Sequence, residues 1–242
     1  MNKIVSLLIS LFIIFSISSS YAITKENLKI DIDFLNENTG WVIGGLPLAS
    51  GGGITCIKST DGGANWTAQP NDINYNFVSV DIDMADENIG YFIAGTALHI
   101  FKTTNGGSNW TANDKAFLVN SVRIAHKVFI NGIRANGLPT MNIDRSDGPG
   151  EGTLYIACTE KAAAGSPAID DYDVLIHSST DQGSTWNTAK RVNQDTDPSL
   201  SYQFYPAFTV DDFGGVDVVY YDSRNTPTND SFQVYLSRSI DG

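Results

Sequence analysis

The sequence predicts an all-β protein built from repeated four-stranded antiparallel sheets. Two observations lead to this prediction: one eight-residue turn motif recurs along the chain, and short strands of alternating polarity recur around it. The composition agrees, since 42% of the 242 residues are apolar, 17% are charged and no segment has the periodicity of a long amphipathic helix. Such a chain can bury a sizeable core and is not a disordered polymer.

The turn motif reads Ser/Thr-x-Asp/Asn-x-Gly-x-x-Trp, with complete copies at 59–66, 103–110 and 179–186 and a fourth beginning at Ser239. The oxygen of the Asp or Asn side chain can accept N–H groups within a turn, and the glycine can take the positive φ of a tight reversal. The Ser/Thr hydroxyl closes the opposite side, and the Trp ring covers the hairpin. Because an extended apolar stretch precedes each complete copy, each is predicted to join two antiparallel strands. The residues assigned to these turns are Ser59, Asp61, Gly63, Trp66, Thr103, Asn105, Gly107, Trp110, Ser179, Asp181, Gly183, Trp186, Ser239 and Asp241.

The strands around the motif also repeat. The stretch 30–43 is matched by 80–93, and the stretch 139–156 is matched by 206–219. Each unit reads strand, turn, strand, loop, strand, turn motif, strand, which is typical of a β-propeller blade. The predicted blades are 28–70, 78–118, 137–192 and 204–242. The last lacks its fourth strand, so the expectation is about 3.5 blades of an incomplete ring, with residues 119–136 as a connector that can hold an extra strand.

The first 22 residues have the features of a secretory signal peptide. Lys3 supplies a positive start, residues 4–17 are apolar, and Ser20 and Ala22 are small residues at the positions that a signal peptidase reads. The apolar run is shorter than the ~20 residues that span a bilayer, and no cysteine follows for lipid attachment. We therefore expect an exported protein, secreted, periplasmic or at the cell surface, with a mature chain of 23–242 and no stable membrane anchor.

The charge balance narrows the class of partner. Fifteen Lys and Arg against 27 Asp and Glu give a net charge of −12. No basic stripe is present to neutralise phosphates, so nucleic acid is excluded as a partner, and anionic lipid is disfavoured. Export permits disulfides, but Cys56 and Cys158 lie in non-neighbouring predicted blades, and two free, buried thiols are expected.

No metal or cofactor is predicted. His99, His126 and His177 lie in three separate segments and share no ligand spacing, so they are expected to be packed or rim residues. The acidic run 170–173 lacks the spacing of a calcium-binding loop and is expected to lie in a loop.

Two further pairs of carboxylates alternate with apolar residues. Asp31 with Asp33, and Asp81 with Asp83, place two carboxylates on one face of each strand. A calcium site or an acidic channel lining is one interpretation. A solvated or hydrogen-bonded strand face is the interpretation we favour.

The turn motif resembles the Asp-box, or bacterial neuraminidase repeat, of sialidases, sortilin-type receptors, xyloglucan-active hydrolases and photosystem II assembly factors. Residues 28–118 look most like the assembly factors, through the stretches 38–44 and 102–107. Residues 137–242 look like the sialidase-like repeats of exported bacterial proteins, through 144–146, 152–156, 191–193 and 220–224. The resemblance implies a β-propeller whose Asp-boxes are structural turns on the rim, away from any active site.

A sialidase-type site, as the resemblance implies it, needs an arginine cluster, a Tyr–Glu nucleophile pair and an acidic Asp. No arginine precedes Arg123, and the stretch 122–125 lacks the aromatic residue and the proline of the sialidase arginine motif. Tyr221, Asp222 and Arg224 are the candidates for a catalytic group. A strand end with an Asp–Arg pair on the turn is the interpretation we favour for them.

These observations predict an exported, non-catalytic Asp-box propeller that binds a protein or a glycan through loops on one face. The alternative is a sialidase-like glycoside hydrolase of the exo-α-sialidase type, with an incomplete catalytic set in this chain. A photosystem assembly role, carried by the resemblance of the first half, is a third possibility.

Overall fold

The computed structural model describes residues 29–45, 54–70, 80–94, 98–113, 128–130, 133–135, 139–161, 172–195, 201–226 and 231–240. The predicted signal peptide and Asp241 lie outside the described residues. The described part of the chain is all-β and contains no helix. It divides into two compact units, which are described in turn.

The first unit consists of two four-stranded antiparallel sheets. Its strands are β1 (Lys29–Phe34), β2 (Gly40–Gly45), β3 (Ile54–Ser59), β4 (Thr67–Gln69), β5 (Val80–Met84), β6 (Gly90–Ala94), β7 (His99–Thr103) and β8 (Thr111–Asn113). Both sheets follow chain order, β1-β2-β3-β4 and β5-β6-β7-β8, so each is a meander of consecutive hairpins. This is the up-and-down topology of a propeller blade.

The core of the first unit lies between its two sheets. Trp41, Ile43 and Cys56 of the first sheet pack with Ile82 and Phe92 of the second, and all are almost fully buried. Successive side chains point to opposite faces of a strand, so Trp41 and Ile43 lie on the same face of β2. Burial of large aromatic and branched side chains between two sheets is the main source of stability for such a unit.

The second unit consists of a short hairpin and two larger antiparallel sheets. Its strands are β9 (Val128–Ile130), β10 (Ile133–Ala135), β11 (Thr140–Ile143), β12 (Leu154–Lys161), β13 (Tyr172–Ser179), β14 (Lys190–Arg191), β15 (Gln203–Val210), β16 (Val216–Asp222) and β17 (Gln233–Ser239). The sheets have the orders β11-β12-β13-β14 and β15-β16-β17. Tyr155 and Val174 of one sheet pack against Val216, Val218 and Tyr220 of the other.

The predicted fold class is confirmed. The chain forms repeated antiparallel blades, and three hairpins that carry the turn motif join the third and fourth strands of a blade. The sheet β15-β16-β17 has three strands, as expected for the predicted blade 204–242, which lacks its fourth strand. The connector holds the hairpin β9–β10, which is one strand more than expected. Cys56 and Cys158 are free and buried, as predicted.

The expectation of a loop for the acidic run 170–173 is wrong at its second half. Tyr172 and Asp173 begin β13 and pair with Lys161 and Glu160 of β12. The strand extends through this polar stretch because the Asp173 carboxylate, which is buried, receives hydrogen bonds from other parts of the second unit.

Candidate functional site

The first Asp-box forms a hairpin closed by its own side chains. Ser59 Oγ accepts the N–H of Gly63 at 2.9 Å and donates to Asp61 Oδ1 at 2.8 Å. Asp61 Oδ1 also accepts the N–H of Asn65 at 2.8 Å, and Trp66 Nε1 donates to the carbonyl of Gly63 at 3.0 Å. The φ of Gly63 is 87°, in the region that favours glycine. The side chains of Ser59, Asp61 and Trp66 are thus engaged within the turn.

The other two complete boxes repeat the hydrogen bonds of the Ser/Thr and Asp/Asn side chains. Trp186 also donates to its glycine carbonyl, whereas Trp110 does not and packs edge-on against Phe92. The hydroxyl groups of Thr103 and Ser179 each accept the N–H of the glycine four residues later, Gly107 or Gly183, at 2.9 Å. Asn105, Trp110, Asp181 and Trp186 occupy the matching positions in these two turns. Ser239 ends β17, and its box continues outside the described residues.

The two box carboxylates are held in their ionised form. The backbone N–H of Asn65 is the main reason that the pKa of Asp61 lies below its ordinary value. Hydrogen bonds from the side chain and the backbone of Thr185 lower the pKa of Asp181 to about 2. A general acid needs a proton to give near neutral pH, so these carboxylates suit a structural role in the turn.

The catalytic candidates lie at the end of β16. Asp222 is buried, and its carboxylate accepts the backbone N–H and the Nε–H of Arg224, both at 2.7 Å. The Arg224 guanidinium lies 4.3 Å from the ring centre of Tyr235. Tyr221 alternates to the opposite face of the strand, where it is 44% exposed and stacks on Phe204. The structure therefore brings Asp222 and Arg224 together in an ion pair and directs Tyr221 away from them.

Asp31 and Asp33 connect the two sheets of the first unit. Asp31 Oδ2 accepts the N–H of Ile82 at 2.7 Å, and Asp33 Oδ2 accepts the N–H of Met84 at 2.8 Å. The carboxylates of β1 thus accept hydrogen bonds from the backbone of β5. This agrees with the interpretation of these carboxylates as a hydrogen-bonded strand face. Burial, with the neighbouring Asp81 carboxyl as the second cause, raises the pKa of Asp31 from 3.8 to about 8.

A groove of about 430 Å³ runs between the two larger sheets of the second unit. Ile176, Val192, Val216 and Val218 give it an apolar floor. Its polar lining comes mainly from hydroxyl and amide groups, including those of Thr153, Tyr155, Ser178, Asn187, Gln194 and Ser237. No Asp or Glu is among the described residues that line it.

The two arginines of the groove are each paired with two carboxylates. Arg191 donates to Asp173 at 2.7 Å and to Asp195 at 2.6 Å. Arg238 donates to Asp217 at 2.6 Å and to Asp211. The guanidinium charges are therefore largely compensated. Lys190, which is exposed, is the other cation among the described lining residues, and the rest of the lining offers neutral hydrogen-bonding groups.

A buried amide organises the carboxylates beside Arg191. Asn193 Nδ2 lies 2.6 Å from Asp173 Oδ1 and 2.6 Å from Asp195 Oδ1, and Asn193 Oδ1 accepts the N–H of Val174 at 2.9 Å. Burial raises the pKa of Asp195, but hydrogen bonds from Asn193 and Ser201 and the charge of Arg191 outweigh it and hold that pKa below its ordinary value. The network fixes the segment after β14 at one end of the groove.

Cys158, Glu160 and His177 form a second buried cluster in this unit. The Cys158 thiol donates to Glu160 Oε1 at 3.2 Å, and His177 Nε2 lies 2.5 Å from the same oxygen. Burial, with the Glu160 charge as the second cause, raises the pKa of the Cys158 thiol well above its usual range. The expectation that His177 is a packed residue holds, but its contact with a thiol–carboxylate pair was not predicted. Cys158 and Glu160 stand two residues apart on one strand, and this Cys-x-Glu spacing was the available signal.

His99 lies in the first unit, at the start of β7. His126 lies outside the described residues. The described residues include no helix with the length and hydropathy needed to span a bilayer.

The first part of the chain is similar to a known protein family. Residues 16–118 match the family described as photosynthesis system II assembly factor YCF48. No curated protein matches the chain.

Comparison with solved structures finds other propellers. An α-L-arabinanase from Penicillium chrysogenum, solved with arabinobiose, is similar with a TM-score of 0.59 and 13% identity, covering 90% of this chain and 64% of that one. An α-L-arabinofuranosidase from Fusarium graminearum has a TM-score of 0.44 and 14% identity, with coverages of 68% and 45%. A YCF48 bound to D1 peptide has a TM-score of 0.40 and 15% identity, with coverages of 88% and 54%.

This chain spans about half to two thirds of the length of these structures. The likeness to the arabinanase supports the fold. The repeats and the blades are those of an Asp-box β-propeller, and residues 16–118, which are less than half of the chain, are similar to the YCF48 assembly-factor family.

Proposed function

We propose that this chain is an exported, non-catalytic binding module for a glycan or a protein, and that the groove of the second unit is its binding site. The observation that supports this proposal is the chemistry of the groove. It has an apolar floor, a lining of hydroxyl and amide groups, and no carboxylate among the described residues that line it.

The lining argues against glycoside hydrolysis in this groove. Most glycosidases use a pair of carboxyl groups on either side of the scissile bond. The carboxylates that contact the two lining arginines are engaged in ion pairs, Asp173 and Asp195 with Arg191, and Asp211 and Asp217 with Arg238. Binding without turnover is the function that this arrangement supports best.

The same lining favours a neutral glycan over an acidic ligand. An apolar floor suits the C–H face of a sugar ring, and hydroxyl and amide groups suit its hydroxyls. Since Arg191 and Arg238 are already paired with carboxylates, the single charge of Lys190 is the main one that the described lining offers to a sialic acid or an acidic peptide. The volume falls within the ~300–1,000 Å³ of small-ligand sites.

The comparisons support binding as a class of function. The family that residues 16–118 match is described by its role in assembly, which is a binding role. The arabinanase that shares the fold was solved with arabinobiose, a neutral disaccharide. Export is proposed on the signal-peptide features of residues 1–22.

The test is a calorimetric titration of the purified full chain with a panel of neutral and sialylated oligosaccharides. The double variant Lys190→Ala with Gln194→Ala removes two exposed groups of the groove. We expect it to weaken binding of a neutral glycan ~tenfold or more. The matched control, Thr67→Ala with Thr111→Ala, changes two exposed residues of the first unit and should leave binding unchanged.

If the groove double variant and the control double variant bind the glycan equally well, the ligand binds outside the groove. Turnover of a fluorogenic sialoside, abolished by Tyr221→Phe, would overturn the non-catalytic assignment in favour of a sialidase-like hydrolase. Amino-terminal sequencing of protein recovered from an exporting host tests the remaining part: a start at Ile23 supports export, and a start at Met1 contradicts it.

A further inference from the structure

We propose that Cys158, Glu160 and His177 form a zinc site in the second unit. The three potential ligand atoms, Sγ, Oε1 and Nε2, all lie within 4.8 Å of one another. The site is independent of the proposed glycan groove. Tyr155 and Ser178 line that groove, and Cys158 and His177 have the opposite parity on the same strands, so they lie on the other face of the sheet.

Two paired strands hold the three side chains. Cys158 and Glu160 lie on β12, and His177 lies on β13, within a run of eight consecutive antiparallel pairs from Leu154–Ser179 to Lys161–Tyr172. Both are central strands of a four-stranded sheet. The pairing of β12 with β11 ends at Ala157, so the backbone at Cys158 and Glu160 is held by its pairing with β13. A site on rigid strands meets the precision that a metal requires better than one on loops.

The distances need only a small change to accept the ion. Ligand atoms bonded tetrahedrally to zinc at ~2.0–2.3 Å stand about 3.2–3.8 Å apart. Cys158 Sγ and Glu160 Oε1 are already 3.2 Å apart, whereas His177 Nε2 and Glu160 Oε1 must separate from 2.5 Å by about 1 Å. A rotation of the Glu160 carboxylate supplies such a change without moving either strand.

The donor set selects the type of metal. A thiolate and an imidazole prefer Zn²⁺ and similar soft or borderline ions to Mg²⁺ or Ca²⁺, which take oxygen ligands. Binding forms Zn–S, Zn–N and Zn–O bonds, releases the thiol proton to solvent, and requires the tautomer of His177 with its remaining proton on Nδ1.

The other buried thiol shows that packing alone does not require such neighbours. Cys56 is also fully buried, but it lies among Trp41, Ile43 and Phe92 in the core of the first unit. Cys158 instead stands beside a buried carboxylate and a buried imidazole. The side chains of His177 and Glu160 are 9% and 7% exposed, so the ligands are almost fully buried and the metal is expected to exchange slowly. A water molecule would complete the tetrahedral coordination beside the three protein ligands.

The experiment measures metal directly. The full chain is unfolded in urea with a chelator, refolded with Zn²⁺ or Co²⁺, and dialysed before elemental analysis and absorption spectroscopy. We expect one retained zinc ion per chain, and in the Co²⁺ form a thiolate-to-cobalt charge-transfer band in the near ultraviolet. Mg²⁺ should neither be retained nor displace Co²⁺.

Two variants and one control locate the site. Cys158→Ser should remove the charge-transfer band, and His177→Gln should weaken Zn²⁺ binding ~tenfold or more while the far-ultraviolet circular dichroism stays that of a folded β protein. Cys56→Ser changes the matched buried thiol of the first unit and should keep both metal and band. Zinc retained equally by the Cys158 and His177 variants, or lost equally in Cys56→Ser, or retained by no form of the protein, would each overturn the assignment.

Discussion

The acid pair of Asp31 and Asp81 makes the first unit sensitive to pH. The proton that Asp31 shares with Asp81 is held up to about pH 8, whereas a carboxyl group in the unfolded chain releases its proton near 3.8. Between these values the folded state binds more protons than the unfolded state, so the free energy of unfolding falls as the pH rises. Below about pH 4 the stabilisation is fully present, and above about pH 8 it is lost.

The variant Asp31→Asn should remove this dependence. Its amide oxygen can accept the N–H of Ile82 as Asp31 Oδ2 does at 2.7 Å, and its amide N–H can donate to Asp81. Each pH unit of the window is worth up to ~1.4 kcal/mol, which over about four units sets an upper limit on the order of 5 kcal/mol. Because the two carboxyl groups titrate together and can relax, we expect a gain of at least ~1 kcal/mol over the wild type at pH 8.5 and none at pH 4.

The assay is urea unfolding followed by tryptophan fluorescence at several pH values from 4 to 9. Three of the four tryptophans, Trp41, Trp66 and Trp110, lie in the first unit, so the signal reports mainly on it. Asp33→Asn is the matched control. It makes the same change two residues further along β1, where Asp33 accepts the backbone N–H of Met84. The reasoning is refuted if the urea midpoints of the wild type and of Asp31→Asn change in parallel from pH 4 to 9. It is also refuted if Asp33→Asn reduces the pH dependence of the midpoint as much as Asp31→Asn does.

The remaining predictions concern the second unit and use urea unfolding followed by circular dichroism, because the tryptophan signal reports mainly on the first unit. Ser179→Ala leaves the buried N–H of Gly183 without its 2.9 Å acceptor and should lower the free energy of unfolding by ~1–3 kcal/mol, whereas Thr180→Ala, one exposed residue away, should change it by less than ~0.5 kcal/mol. Equal effects would mean that the hydroxyl does not hold the turn. Asp222→Ala leaves the Arg224 guanidinium unpaired and should destabilise by about 3 kcal/mol or more, with partial recovery in the double variant that also carries Arg224→Ala. A single Asp222→Ala variant that is as stable as the wild type would contradict a structural role for this pair.

The features that the sequence predicted well are those set by neighbouring residues. An Asp-box closes through contacts over two to four positions, such as Ser59 to Gly63, so the residue types and their spacing specify it. The blades follow because each box and each glycine-marked turn joins strands that are adjacent in sequence. Hairpin topology leaves little freedom in the order of the strands.

The features that the sequence did not predict depend on partners far along the chain. Asp173 was assigned to a loop because the acidic run follows Gly165 and Pro167, but Arg191 and Asn193, 18 and 20 positions later, hold its carboxylate within the strand. The approach of His177 to Glu160 depends on the register of β12 against β13, which residue types alone do not specify. The groove likewise forms between two sheets, and no local pattern marks such a surface.

The second unit contains a natural counterpart of the Asp31→Asn variant. The stretch around Asn142 has the same strand pattern as the stretch around Asp31, and Asn142 Oδ1 accepts the N–H of Val210 at 3.4 Å as Asp31 accepts that of Ile82. The residue before Val210 is Thr209, where the first unit has Asp81. At the equivalent junction of the second unit an amide thus accepts the backbone N–H, at a longer distance than the carboxylate does. The bond between first strands therefore does not require an acid, and the hydrogen bond between Asp31 and Asp81 adds pH sensitivity to the junction of the first unit.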